Sequence, residues 1–125
     1  MGDRTNFGFR QLDESVIYLY GHNAGYQMMA QLAAAIDFAR PRWHDEMYAT
    51  RMAMSHLVGD DHDQELGWGI ATHIGDNEHS IPVVDWRNQT VSLYNHSWSQ
   101  GIDFTNAKFV MGFEQFLSKF SVALV

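Results

Sequence analysis

The chain of 125 residues contains no cysteine. Disulfide bonds, zinc–thiolate sites and cysteine nucleophiles are therefore excluded. No segment approaches the roughly 18 consecutive apolar residues that a membrane-spanning helix needs. The opening residues, MGDRTN, also lack the apolar run of a secretory signal. These absences predict a soluble, cytoplasmic protein without a membrane partner.

Positive charge is also scarce. Eight Lys and Arg residues stand against 15 Asp and Glu residues, which gives a formal net charge of -7. An acidic surface repels nucleic acid and anionic membranes, so nucleic acid is not an expected partner. A local basic pocket can still hold a small anion, because salt screens exposed charges that are more than about 8–10 Å away.

What the chain does contain is enough apolar material for a core. Hydrophobic residues make up 46% of the chain and aromatic residues 14%. A chain of this length and composition folds, and it is long enough for one core rather than two. It shows no internal repeat and no linker. We therefore expect one domain, residues 1–125.

Hydrophobic alternation predicts strands in two groups, one on each side of a helical region. The predicted strands are Phe7–Phe9, Val16–Tyr20, Trp68–Thr72, Ile81–Trp86, Thr90–Tyr94 and Phe104–Met111.

Two consecutive helices are predicted between these groups. The first has Asn23 as its N-cap and ends at Arg40–Pro41, because the residue before proline avoids helical geometry. The second begins after Asp45 and ends before Gly59. Aromatic spacing over residues 113–120 predicts a short C-terminal helix. Helices that do not alternate with strands predict an α+β fold with a mainly antiparallel sheet.

Four stretches carry a family resemblance: LYGHNAGYQM, ARPRWHDEMYATR, LGWGI and DNEHSIPVVDW. They resemble a family of small uncharacterised bacteriophage proteins, mainly from phages of actinobacteria. The family has a second aromatic residue where this chain has Asn23. The resemblance covers nearly the whole chain. It implies a phage origin and a role in the host cytoplasm, such as host takeover or anti-defence, and it implies no reaction.

The first candidate site is the connection between the second strand and the first helix, GHNAG. A helix N-terminus attracts anions, and glycines let a ligand approach the backbone closely. No Gly-Lys-Ser or Gly-Lys-Thr follows, so the connection is not a Walker loop. The alternative is that the glycines relieve a sharp turn and that His22 bonds to the next element.

Basic and aromatic residues form the second candidate, RPRW at residues 40–43 together with Arg51. Arginine beside an aromatic ring can hold a phosphate and stack on a base. No acid lies three or four residues from Arg51, so its expected partner is either Asp85 or a ligand. This pattern favours a non-enzymatic protein that sequesters a nucleotide-type anion. The predicted ligand-binding residues are Gly21, His22, Asn23, Gly25, Arg42, Trp43, Tyr48, Arg51, Trp68 and His79.

Two other functions stay open. An aromatic-rich chain can be an interaction protein that binds and inhibits a host protein. A small hydrolase or transferase would use His22 or His79 with Asp76 or Asp85. Residues 76–79, DNEH, are either a solvated turn or the polar rim of a pocket. A homo-oligomer is compatible with all of these functions.

No metal, cofactor or catalytic residue is predicted. The acidic segment of residues 60–65 lacks the spacing of an EF-hand, and no His-x-x-x-His pair lies on a predicted helix. No Gly-x-Ser-x-Gly motif occurs. His56 falls on the apolar face of the second helix, so we expect it to be a core histidine.

Overall fold

The protein is a layer of helices on one mixed sheet, described by a computed structural model over residues 3–97 and 99–121. Short 3-10 helices, Arg40–Arg42 and Gly59–Asp63, precede and follow the second α-helix. The elements are β1 (Thr5–Arg10), β2 (Val16–Gly21), α1 (Met28–Phe38), α2 (Glu46–Val58), β3 (Trp68–Ala71), β4 (Ile81–Asp85), β5 (Thr90–Ser97), β6 (Gly101–Gly112) and α3 (Phe113–Phe120).

The strand order of the sheet is β3-β2-β1-β4-β5-β6. Four of the neighbouring pairs are antiparallel, and β1 and β4 are parallel, with Gly8 opposite Val83. The two strand groups of the sequence thus join side by side at β1 and β4. The predicted α+β fold, with two consecutive central helices and a short C-terminal helix, is confirmed.

Strand alternation divides the sheet into two unequal faces. Phe7, Phe9, Val84 and Val91 are fully buried against the helices. On this side α1 contacts both α2 and α3. The opposite face carries a smaller apolar cluster, which consists of Tyr18, Ile81, Val83 and Tyr94.

The first helix begins later than predicted, so the prediction of Asn23 as its N-cap is wrong. Asn23 forms a β-bridge with Asp3, and the Gly25 amide donates to the Asp3 carbonyl at 3.0 Å. These bonds hold the chain in a non-helical path before Met28. Gln27 takes the N-cap position, and its side chain makes no capping hydrogen bond.

The second helix has the predicted bounds, with Asp45 at the N-cap and Gly59 at the C-cap, where φ is 56°. The Asp45 side chain makes no capping hydrogen bond. The prediction that His56 lies in the core is wrong. His56 is exposed and packs on the ring of Phe38, because the buried side of the helix is rotated toward Thr50, which bonds to a core tryptophan.

Candidate functional site

The first part of the predicted connection, Gly21 and His22, is a tight structural junction. A Cβ on Gly21 would lie 2.6 Å from the Ala24 Cβ and 2.9 Å from the Trp68 ring. The His22 amide donates to the Gly67 carbonyl at 2.9 Å, and its ring nitrogen Nδ1 lies 3.0 Å from the Tyr20 hydroxyl. These contacts bring β3 against β2 and leave no space at Gly21 for a ligand.

The second part of the connection, Gly25, packs closely against the side chain of His79. A Cβ on Gly25 would lie 2.6 Å from the Asp3 Oδ1 and closer still to the His79 Nε2. Those two atoms are themselves 2.6 Å apart. Asp3 and His79 are 76 positions apart in the chain, so sequence spacing gives no sign of this pair.

The start of α1 opens into a depression of about 440 Å³ beside this pair. Among the described residues, no side chain caps α1 and its first turn holds no acid. The amide groups of that turn carry about half a positive charge. We call this site the α1 depression; it is lined by Gly25, Tyr26, Gln27, Met28, Met29, Ala30, His79, Ser80 and Phe120.

Both lysines of the chain lie near the α1 depression. The Lys108 ammonium donates to the Ser80 hydroxyl at 3.1 Å. The Lys119 ammonium lies 5.7 Å from the centre of the Phe120 ring. Lys119 also stands in the last turn of α3, where it offsets the partial negative charge of that helix end. Asp3 is a carboxylate beside the site, and it is already bonded to His79.

Two aromatic rings border the α1 depression. Tyr26 is 88% exposed at its rim. Phe120 forms part of the wall and is held by stacking on Phe109 and tilted packing on Phe116. A fixed ring and an exposed ring at one site can accommodate a flat ligand, because aromatic side chains stack on nucleobases.

The predicted arginine–aromatic segment, residues 40–43, does not line the α1 depression. The Arg42 guanidinium stacks over Tyr48, 5.1 Å from the ring centre, and both side chains are exposed. Trp43 is only 9% exposed, and its Nε1 donates to the Ile36 carbonyl at 2.8 Å. Trp43 is therefore a core residue, and its ring is not open to a nucleobase.

Arg51 and Trp68 also lie outside the α1 depression. Of the two partners expected for Arg51, Asp85 is not bonded to it: the ion pairs of the described residues do not include Arg51, and Asp85 accepts two hydrogen bonds from Asn88 at 3.1 and 3.0 Å. Trp68 is half-buried, and its Nε1 donates to Asp61 at 3.2 Å. Of the predicted ligand-binding residues, the described lining of the depression contains Gly25 and His79.

A second cavity, of about 530 Å³, separates α2 from the edge of the sheet at β2 and β3. Arg51 of α2 is exposed and lines this cavity among mostly apolar side chains. We call this cavity the α2 groove; it is lined by Gln11, Ile17, Met47, Thr50, Arg51, Met54, Ser55, Val58, His62 and Ile70.

The four residues considered for acid–base catalysis do not come together. His22 bonds to Tyr20, His79 to Asp3, and Asp85 to Asn88. Asp76 lies 3.9 Å from Arg4. Within residues 3–97 and 99–121, no group of three or more metal-ligating side chains is arranged around a common point. In the same ranges, no helix is both long and apolar enough to cross a membrane.

Arg40, the first residue of the RPRW candidate, joins α3 to the rest of the helical layer. Arg40 forms a bidentate ion pair with Glu114, at 2.8 and 3.2 Å, and a second ion pair with Asp37 at 3.0 Å. The hydrogen bond from Arg40 lowers the pKa of Glu114, and the bonds to Glu114 and Asp37 raise the pKa of Arg40. This cluster is structural and lies on the surface.

No relative is identified. The chain matches no protein-family model, no curated protein sequence and no solved structure. The α1 depression and the α2 groove are therefore the features that point to a function.

Proposed function

We propose that the protein is a non-enzymatic bacteriophage accessory protein that sequesters a small nucleotide-type anion in the α1 depression. The observation that carries this proposal is the first turn of α1, which no side chain caps and which opens into a cavity lined by His79 and Ser80. The Lys108 ammonium is bonded to the Ser80 hydroxyl at 3.1 Å. A phage origin and a role in host takeover or anti-defence, in the host cytoplasm, are supported by the four sequence stretches described above.

The phosphate group would lie against the amides of Met29 and Ala30 in the first turn of α1, where helix N-termini bind anions. The Met28 amide already donates to the Gly25 carbonyl at 3.3 Å. The Lys108 ammonium would add a charge-assisted hydrogen bond. The base would lie between Tyr26 and Phe120, which are the two aromatic rings of the site. The cavity volume of about 440 Å³ falls in the usual range for small-molecule sites, roughly 300–1,000 Å³.

Native mass spectrometry of the protein purified from host cells tests this proposal directly. Release of a bound nucleotide on denaturation would name the ligand. Titration with nucleoside mono-, di- and cyclic phosphates then measures affinity. A ligand at about 100 times its Kd should raise the free energy of unfolding by about 2.7 kcal/mol. The matching nucleosides without phosphate should bind more weakly.

Two variants locate the site. Lys108→Gln should weaken phosphate binding by about ten- to a hundredfold, because one charge-assisted bond is lost. Arg42→Gln removes another exposed cation, one outside the depression, and should leave the affinity unchanged. Equal effects of the two variants, or no nucleotide binding by the wild-type protein, would contradict the proposal.

A hydrolase is the second candidate, and the pair of Asp3 and His79 is the observation that favours it. A carboxylate 2.6 Å from an imidazole can orient that ring as a general base toward the open depression. Incubation with the same nucleotides would then give products, and His79→Gln would abolish them. Binding without any change in the nucleotides removes this candidate and leaves sequestration in place.

A further inference from the structure

We propose that the α2 groove is a second, separate binding site, and that it takes an apolar monoanion such as a medium-chain fatty acid. Arg51 would hold the carboxylate, and the apolar walls would hold the acyl chain. The proposal does not depend on nucleotide binding in the α1 depression, since the two cavities share no lining residue.

The walls of the groove are aliphatic and thioether side chains from three elements. Ile17 of β2 and Ile70 of β3 face Met54 and Val58 of α2. Ile70 is 65% exposed and Met47, also in the lining, is 71% exposed. An alkyl chain in the groove would remove these surfaces from water, which is favourable in proportion to the apolar area buried.

The lining carries one permanent charge, the Arg51 guanidinium. Arg51 is exposed, and it makes no hydrogen bond or ion pair with the residues that the structure describes. The described lining contains no Asp or Glu, in a chain that has 15 of them. Of the acidic 3-10 helix Gly59–Asp63, His62 is the residue that lines the groove. An unpaired guanidinium among apolar walls matches a carboxylate, whose two oxygens fit its donors.

The shape and chemistry of the walls favour a flexible chain over a flat ring. The described lining holds no Phe, Tyr or Trp on which a ring could stack. Methionine side chains adapt to irregular apolar ligands. The hydroxyl oxygen of Thr50 already accepts hydrogen bonds from Trp86 and Gln11, at 2.9 and 3.3 Å, so it does not require a donor from the ligand. The volume, about 530 Å³, suits a small ligand.

Calorimetric titration with decanoate and with decanol, each below its aggregation threshold, separates two contributions to binding. Both ligands carry the same alkyl chain, and decanoate alone carries the carboxylate that Arg51 would hold. The wild-type protein should bind decanoate about ten- to a hundredfold more tightly than decanol, because one guanidinium–carboxylate bond is gained. Arg51→Gln should make the two ligands bind equally, by weakening decanoate binding alone. Arg42→Gln is the matched control and should change neither affinity.

The apolar walls are tested at exposed positions, where a substitution leaves the core intact. Ile70→Thr keeps a β-branched residue in β3, and Met47→Gln keeps a helix-favouring residue of similar length. Both should weaken decanoate and decanol binding together, by several-fold. Amide chemical shifts in the wild-type protein should change at α2 and β3 on addition of decanoate.

Several results would overturn the proposal. Equal binding of decanoate and decanol by the wild-type protein would remove the role of Arg51. Failure of both ligands to bind would remove the site. A dimer whose formation is disrupted by Ile70→Thr, with no ligand binding, would assign the groove to a second copy of the chain. Displacement of decanoate by a nucleotide would show that the two sites are not separate.

Discussion

Among single residues, Gly25 makes the contact on which the α1 depression depends. The imidazole of His79 and the carboxylate of Asp3 occupy the space that any larger side chain would fill. The glycines of the GHNAG stretch made this position a predicted site. The reason for a glycine here is the close approach of Asp3 and His79, which are distant in the sequence. A sequence pattern can therefore mark such a position without showing what approaches it.

Gly25→Ala should destabilise the protein by about 1–3 kcal/mol, because the added methyl group overlaps the pair of Asp3 and His79. It should also weaken any ligand of the α1 depression. Urea denaturation measures the free energy of unfolding. Gly69→Ala is the control, since a Cβ there meets nothing within 4 Å. Equal stability of the two variants would show that the pair is not held against Gly25.

Thr50 is one of the few buried polar residues, with 7% of its surface exposed. Its hydroxyl accepts hydrogen bonds from Trp86 and Gln11. Thr50→Val keeps the shape but leaves the buried Trp86 donor unpaired, so we expect a loss of about 1–3 kcal/mol in the free energy of unfolding. Thr50→Ser keeps the hydroxyl and should retain more of the stability. A serine variant less stable than the valine variant would contradict this explanation.

Among elements, local signals succeeded where the controlling contacts are local. Gly59 ends α2 as predicted, because the chain leaves the helix there with a positive φ of 56°, which glycine adopts readily. Asp45 stands at the predicted N-cap, although its side chain makes no capping hydrogen bond. The predicted start of α1 is wrong because the β-bridge between Asp3 and Asn23 controls where the helix begins. The ion pair between Arg40 and Glu114, which joins α3 to the helical layer, is also a long-range contact. Its contribution to stability should depend on pH.

Arg40 lowers the pKa of Glu114, so the folded protein keeps this carboxyl ionised to a lower pH than the unfolded chain does. The stabilisation is therefore complete at neutral pH and is lost as the pH falls through the lowered pKa. Glu114→Gln should reduce stability at neutral pH, and its difference from the wild-type protein should shrink in acid. Denaturation curves at several pH values measure this difference.

Glu65→Gln provides the comparison for the pH series. Glu65 is exposed and makes no hydrogen bond or ion pair with the described residues. Its substitution should have little effect at any pH. A Glu114→Gln difference that stays constant from neutral pH to below the usual glutamate pKa of about 4.3 would count against the ion pair.

Across the whole molecule, the sequence predicted which elements form but not how they join. Alternation and turn signals identified the strands, and the α+β class followed from their grouping. The parallel pairing of β1 with β4 joins segments about 75 positions apart, with Gly8 opposite Val83. The α1 depression is equally non-local, so of its lining the sequence predicted Gly25 and His79 but not Lys108 beside it.

The strand order predicts a gradient of protection from hydrogen exchange. β1 and β4 lie at the centre of the sheet, and residues Thr5–Phe9 of β1 are all buried. β3 is a short edge strand with Ile70 exposed. Amides in β1 and β4 should exchange slowest, and those in β3 and Gly59–Asp63 fastest, because edge and surface segments open locally at low cost. Equal protection of β1 and β3 would contradict this.

Asp3 and Phe120 stand beside the same depression although they lie far apart in the chain. A bulky fusion placed within a few residues of either one would therefore crowd the proposed ligand. Attaching the protein to a biosensor surface at a position close to Asp3 or Phe120 would produce the same obstruction. The choice of attachment point thus decides whether a negative binding result is informative.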